Sequence, residues 1–180
     1  MGRAQPGGRQ ALGTGLVACA LLLAAPTSPA AAAPAAWRPT WWPSWLPAGN
    51  GQPNVVIRLR RNRLYAHDGY RRWRQFVVAS GKDYNTPRGS YRIVSKTLWP
   101  AWNYKDEHVP GGAWGNPLGV AWLGLGMPAW WGGSPIGIHG TNAPGSIGLR
   151  VSHGCIRMYN GDVLALYRMV PVGCWVHVIM

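Results

Sequence analysis

The sequence predicts a mainly β fold with one or two short helices and a long Gly/Pro/Trp-rich loop. Three observations carry that expectation. Its 180 residues include 25 glycines and 16 prolines, too many breaks for long helices and well suited to short strands joined by turns. Hydrophobic residues make up 47% of the chain, enough for a packed core, while charged residues are only 13%, against about 25% in ordinary soluble domains. From Val55 onward the apolar positions recur with period 2, as half-buried strands require. A helical bundle and a wholly disordered chain are excluded, and the length suits one domain.

The first 33 residues read as an export signal. Arg3 and Arg9 make a positive start, residues 11–25 form an apolar run too short to span a bilayer, which takes about 20 residues, and residues 30–33 offer a small-residue cleavage site. An uncleaved membrane anchor and lipidation at Cys19 are the other readings of this segment. Residues 34–53 follow as a linker in which Trp37, Trp41, Trp42 and Trp45 alternate with prolines. Docking of those rings back onto the domain is the favoured reading. The remaining residues, 54–180, are left as a single domain. With 18 basic residues against 5 acidic ones, a net charge of +13, the surface attracts polyanions, and export turns that preference away from nucleic acid.

Within the domain, Ile57 and Leu59 alternate with Arg58 and Arg60, and residues 64–67 resume the pattern after a basic turn, which gives a hairpin. Asp68-Gly69 is a turn dipeptide. Further strands are expected around residues 75–79 and 90–94, joined by a loop at 82–89. Residues 97–133 hold Trp99, Trp102, Trp114, Trp122, Trp130 and Trp131 among glycines and prolines, and read as a flap over a site or as irregular core. Asn160 is a suitable N-cap for a helix with Asp162 in its first turn and an apolar face of Val163, Leu166, Tyr167 and Val170. Pro171 and Gly173 stop the helix, and residues 174–179 close the domain as a strand with Cys174, Val176 and Val178 on one face.

Two segments concentrate the chemistry: Ile138-His139-Gly140-Thr141 and Ser152-His153-Gly154-Cys155-Ile156-Arg157-Met158. A thiol of ordinary pKa, about 8.5, is mostly protonated at neutral pH and needs a base or a cation beside it. His139 and His153 are both candidates. Glycine beside a nucleophile lets substrate approach and lets backbone N–H groups converge, so the N–H groups of Gly154 and Cys155 are candidates for an oxyanion hole. No acidic residue stands ready to orient a base, which leaves a backbone carbonyl such as that of Gly140. The same residues also admit an inert buried thiol, a Cys155–Cys174 disulfide in an exported chain, or a zinc site of His139, His153 and Cys155, although no paired-ligand spacing is present.

Taken together, His139-Gly140-Thr141, Ser146-Ile147-Gly148, the heptapeptide around Cys155, and Asn160-x-Asp162 resemble the catalytic domain of the L,D-transpeptidase (YkuD-type) family. Ser80-Gly81-Lys82 with Thr86-Pro87-Arg88-Gly89 is similar to an upstream family segment, Asn116-Pro117-Leu118-Gly119 to its NPxG segment, and Val170-Pro171-Val172-Gly173 to the start of its last strand. The resemblance covers roughly residues 54–179 and implies a β-sandwich or barrel. It implies that Cys155 attacks the carbonyl between the diamino acid and D-Ala of a peptidoglycan tetrapeptide stem. His139 is then the general base, positioned by the Gly140 carbonyl. His153 and Arg157 shape the site or bind a substrate carboxylate, Thr141 is a further substrate-side position, and Ser152 is either substrate-side or, as the favoured reading, structural. The acyl group passes to an amine, giving cross-linking or anchoring, or to water, as in an L,D-carboxypeptidase. Neither metal nor organic cofactor is implied, carbapenem β-lactams are the implied inhibitors, and anionic wall polymers suit the basic surface. Cys174 departs from the family, which commonly has a small polar residue there. It implies a second thiol beneath the site, and both thiols are expected to be free in active protein. A non-catalytic wall-polymer-binding module, using the arginines and tryptophans, is the reading from a different class.

Overall fold

Val55 and Ile57 leave one face of the first strand, β1 (Asn54–Arg58), for the main core, while Val56 on the opposite face packs with Trp73 and Ile179. Burial on both faces accounts for the nearly continuous apolar run there. A 3-10 turn, Leu59–Arg61, ends at Asn62 with φ +46°, a left-handed conformation that asparagine tolerates. The chain returns as β2 (Arg63–His67) and again as β3 (Trp73–Val77), each antiparallel to the strand before it. The computed structural model describes residues 52–69, 73–127 and 135–180. The expected export signal, the linker up to Gly51, Trp130 and Trp131 lie outside the described residues.

The remaining elements are β4 (Ser80–Gly81), β5 (Gly89–Leu98), β6 (Trp102–Tyr104), β7 (Glu107–Val109), β8 (Ala121–Leu125), β9 (Gly137–His139), β10 (Arg150–Ser152), β11 (Ile156–Arg157), α1 (Asn160–Met169) and β12 (Trp175–Ile179). Eight strands form one curled, half-barrel sheet in the order β11-β9-β8-β5-β12-β1-β2-β3. Two of its neighbour pairs are parallel, β1 with β12 and β9 with β11. β4 and β10 make a short parallel pair of their own, and β6 and β7 form a hairpin. The mainly β expectation with one helix therefore holds.

Several details differ from the expectation. The strand placed at 75–79 begins and ends two residues earlier, and the one placed at 90–94 runs on to Leu98 with a register shift between Ile93 and Ser95. The stretch 97–127, the described part of the segment 97–133, is not one flap or irregular core. It contains the end of β5, the β6–β7 hairpin and β8, which lies between β5 and β9 with Ala121, Leu123 and Leu125 buried. Its alternation was masked by Trp122 and Gly124, whose residue types suggested a loop. A Cβ at Gly124 would displace the Ser95 hydroxyl and the Trp122 ring beside it.

The helix covers the sheet with Val163 and Leu166 fully buried, and Val170 just beyond its end joins the same cluster. Its last turn is held from β5: Lys96 Nζ donates to the carbonyls of Tyr167 at 2.6 Å and Val170 at 2.7 Å while lying 4.1 Å from the Tyr167 ring centroid. A cation at a helix C-terminus satisfies carbonyls that have no partner within the helix. The N-terminus departs from expectation. Tyr159, without a side-chain bond, occupies the cap position, and Asn160 is already helical.

Because β8 is an inner strand of the large sheet, Leu123→Ala is expected to lose about 2–5 kcal/mol of stability in urea unfolding. A loss below about 0.5 kcal/mol, as for a loop residue, would contradict the placement.

Candidate active site

The turn between β10 and β11 is built from its own hydrogen bonds. Buried Ser152 accepts the Gly154 N–H at 3.1 Å and donates its hydroxyl to the Cys155 carbonyl at 2.6 Å. Gly154 sits at φ +150°, and a Cβ there would press on Ile136 Cδ1 at 3.3 Å, so the position calls for glycine. Behind it, the fully enclosed Thr86 hydroxyl donates to the Gly154 carbonyl and accepts the Gly81 N–H, both at 2.9 Å. Asn62 secures the flank, accepting the Ser80 hydroxyl at 2.9 Å and donating to the Gly148 carbonyl at 2.6 Å. Asn62, the 80–86 segment and Gly148, distant from one another in sequence, thus brace one turn.

β9 brings the histidine to this turn. Ile156 pairs with Ile138 and Arg157 with His139, so Cys155, one residue before β11, falls alongside Gly137 and two residues from His139 along the strand. Residues two apart along neighbouring strands present their side chains on the same face, so the thiol and the imidazole share one face of the sheet. His139 is only 4% exposed. Its Nδ1 lies 2.7 Å from the Gly140 carbonyl oxygen, which can only accept, so Nδ1 carries the proton and Nε2 keeps its lone pair. Trp122, the cross-strand partner of His139, stacks on the ring with centroids 5.7 Å apart and planes at 22°. The absence of a side chain at Gly137 makes room for that indole, since a Cβ would meet it at 2.6 Å.

Burial dominates the proton affinities. It lowers His139 from 6.5 to about 4, against the Gly140 hydrogen bond and with help from the positive Arg157. It raises Cys155 above 9.0, against a hydrogen bond from the Gly137 backbone and the Arg157 charge, both of which favour the thiolate. At neutral pH the resting pair is therefore thiol and neutral imidazole. A base with a free Nε2, a nucleophile beside it and a guanidinium that favours developing negative charge are the components of acyl transfer by a cysteine.

The expected site residues separate into two groups. Cys155, His139, Gly140 and half-buried Arg157 come together, and His153 is exposed on the same turn. Ser152 and Thr141 are both buried, with the Ser152 hydroxyl committed to its turn and the Thr141 hydroxyl accepting the Ala143 N–H at 3.0 Å. The Gly154 N–H, expected in an oxyanion hole, is taken by Ser152. The Cys155 N–H has no bonded partner among the described residues and is the donor left at the turn. Cys174 is not beneath the site. β9, β8 and β5 separate β11 from β12, where Cys174 donates to the Pro53 carbonyl at 3.4 Å and is pushed by burial up to about 12. Both cysteines are free, so the disulfide does not form. Among the described residues no three His, Cys, Asp or Glu side chains gather as metal ligands. Trp122 and Asn62 escaped the sequence reading; the first was hidden in an apparent loop and the second in a basic turn.

Residues 52–178 match the family model for the L,D-transpeptidase (YkuD) catalytic domain. The chain belongs to this family. It is 38% identical over 124 residues to the putative L,D-transpeptidase YqjB of Bacillus subtilis, covering 68% of this chain and 69% of that protein. It is 41% identical over 120 residues to the putative L,D-transpeptidase YkuD of Bacillus licheniformis, covering 66% and 59%. Among solved structures, L,D-transpeptidase 3 of Mycobacterium tuberculosis with a faropenem-derived adduct shares the fold at a TM-score of 0.54 and 19% identity, over 71% of this chain and 61% of that one. The L,D-transpeptidase LdtMt1 in complex with imipenem matches at 0.52 and 18%, over 71% and 58%. The chain thus spans between about half and two thirds of the length of most of these relatives.

For this L,D-transpeptidase domain, His139 links pH to stability. Its folded pKa, about 4, lies below the 6.5 of a free imidazole, so the unfolded chain takes up the proton first as pH falls. The contribution is complete above pH 6.5 and is lost between 6.5 and 4. His67 and His177, also lowered by burial, act with the same sign. Urea unfolding at pH 7 and pH 4.5 is expected to show a loss on the order of 3 kcal/mol, with a shallower dependence in His139→Gln. Equal or greater stability at pH 4.5 would contradict it.

Proposed function

We propose that this protein is an exported cysteine L,D-transpeptidase acting on peptidoglycan tetrapeptide stems, with Cys155 as the nucleophile and His139 as the general base. The observation that carries the reading is the His139 tautomer: with Nδ1–H bound to Gly140, Nε2 is the free base on the strand beside Cys155. The substrate class rests on the family and on the names of its relatives.

In the proposed reaction Cys155 Sγ attacks the carbonyl between the diamino acid and D-Ala, and its proton passes to His139 Nε2. Negative charge collects on the carbonyl oxygen, where the Cys155 N–H and the Arg157 charge stabilise it. Collapse breaks the C–N bond, and the imidazolium returns its proton to the departing D-Ala amine. An incoming amine then attacks the thioester and gives its proton to His139, and the thiol leaves with that proton restored. Water in place of the amine gives the carboxypeptidase outcome. His153, exposed beside Cys155, and Arg157 are placed to meet a stem carboxylate. Two solved relatives are described with a faropenem-derived adduct and with imipenem, and we extend carbapenem-type acylation to Cys155 here. Export by residues 1–33, and attraction of anionic wall polymers to the basic surface, complete the proposal.

Intact mass spectrometry of the reduced full chain, incubated with a disaccharide-tetrapeptide or with imipenem, tests it. An acyl adduct and D-Ala release are expected, and both are expected to fall at least about a thousandfold in Cys155→Ala. Unchanged turnover in that variant, or binding to wall material without any adduct in either protein, would contradict the reading.

A further inference from the structure

The Gly140 carbonyl that orients His139 belongs to the same peptide unit as the Thr141 N–H, and that N–H donates to Asn160 Oδ1 at 3.0 Å. Asn160 Nδ2 in turn donates to the Thr141 carbonyl at 3.0 Å, so one side chain grips the backbone on both sides of the Thr141 Cα. The neighbouring strand holds the other edge, through the Gly140 N–H bond to the Ala121 carbonyl at 3.1 Å. Space for this grip is left by two glycines: a Cβ at Gly119 or Gly140 would run into Asn160 Oδ1. The amide is not a helix cap, since Tyr159 holds that position and Asn160 is the first residue of α1. Every hydrogen-bonding contact found for its side chain goes to Thr141.

We infer that Asn160 is a positioning residue for the base. Its side chain fixes the Gly140–Thr141 peptide plane, and that plane fixes the tautomer and the direction of the His139 imidazole. The two bonds share one rigid, planar unit, so a rotation that frees the Thr141 N–H also swings the Gly140 oxygen away from Nδ1. Without the carbonyl in place, the proton distributes between the two ring nitrogens and the ring loses its aim toward Cys155. The inference rests on the proposed role of His139 only for its effect on rate; its structural content, the tautomer, is measurable without substrate.

The test uses the full chain as wild type, Asn160→Ala and Asn160→Asp, with histidine-labelled protein for nitrogen-15 NMR of the imidazoles. Alanine is a good first-turn helix residue, so α1 keeps its start. Aspartate keeps the acceptor for the Thr141 N–H, the bond that holds the Gly140–Thr141 peptide, and replaces the Nδ2 donor by an oxygen that repels the Thr141 carbonyl. His139 is expected as the pure Nδ1–H form in wild type, as a mixture in Asn160→Ala, and largely as the Nδ1–H form in Asn160→Asp. D-Ala release is expected to fall at least about tenfold in kcat for Asn160→Ala, with KM within about twofold and recovery in Asn160→Asp, as for other groups that orient an imidazole through a hydrogen bond. A folded Asn160→Ala with the wild-type tautomer and kcat within about twofold would overturn the inference. Should Asn160→Ala fail to fold, the wild type decides, and a substantial share of the Nε2–H form there at neutral pH overturns it. If the wild type releases no D-Ala while the tautomer still shifts in Asn160→Ala, the positioning inference stands and the transpeptidase reading falls.

Discussion

Everything about this site follows from the burial of one imidazole. His139 is buried against the ring of its cross-strand partner Trp122, where a charged ring would be costly and a neutral ring must still place its single N–H. The Gly140 carbonyl, the next acceptor along the backbone, takes that N–H. The bond is local, but the position of the carbonyl is not: it depends on β8 through Ala121 and on α1 through Asn160. β8 and α1 thereby hold the carbonyl that decides which ring nitrogen keeps its lone pair.

The nucleophile is handled differently. Cys155 sits at the end of a turn whose polar groups are bonded inward, to Ser152 and Thr86, so that the turn is rigid before any ligand arrives. Its thiol is held as a thiol by burial, while Arg157 and the Gly137 backbone favour the negative form. An arrangement of this kind stabilises the charge of the reaction more than the charge of the resting state, which is the direction in which binding energy accelerates a step. Cys174 shows the contrast: an equally free thiol, buried and donating to the Pro53 carbonyl, is kept protonated to about 12.

Much of this was legible in the residues. The cysteine with a glycine before it, the histidine with a glycine after it, and the period-2 runs around Ile57 and Val176 point to a β domain with a thiol and an imidazole in its candidate site. What could not be read is where a polar side chain spends its hydrogen bonds. Ser152, Thr141 and Asn160 looked like substrate or cap residues by type, yet each bonds to backbone close by in space, because buried polar groups must be satisfied and the nearest backbone satisfies them. β8 was illegible for another reason. Its small glycine and large tryptophan share a strand because the strand must pass Ser95 on one side and cover His139 on the other. Composition alone assigns such a mixture to a loop.

The neutral state of the Cys155–His139 pair is the central claim, and ultraviolet titration of the thiolate tests it most directly. The difference between the wild-type protein and Cys155→Ala isolates that one sulfur. No thiolate is expected from Cys155 at neutral pH, and its absorbance is expected to appear only above the ordinary thiol value of 9.0. A thiolate already present between about pH 5 and 7, the mark of a thiolate–imidazolium pair like those of other histidine-paired cysteines, would contradict the account.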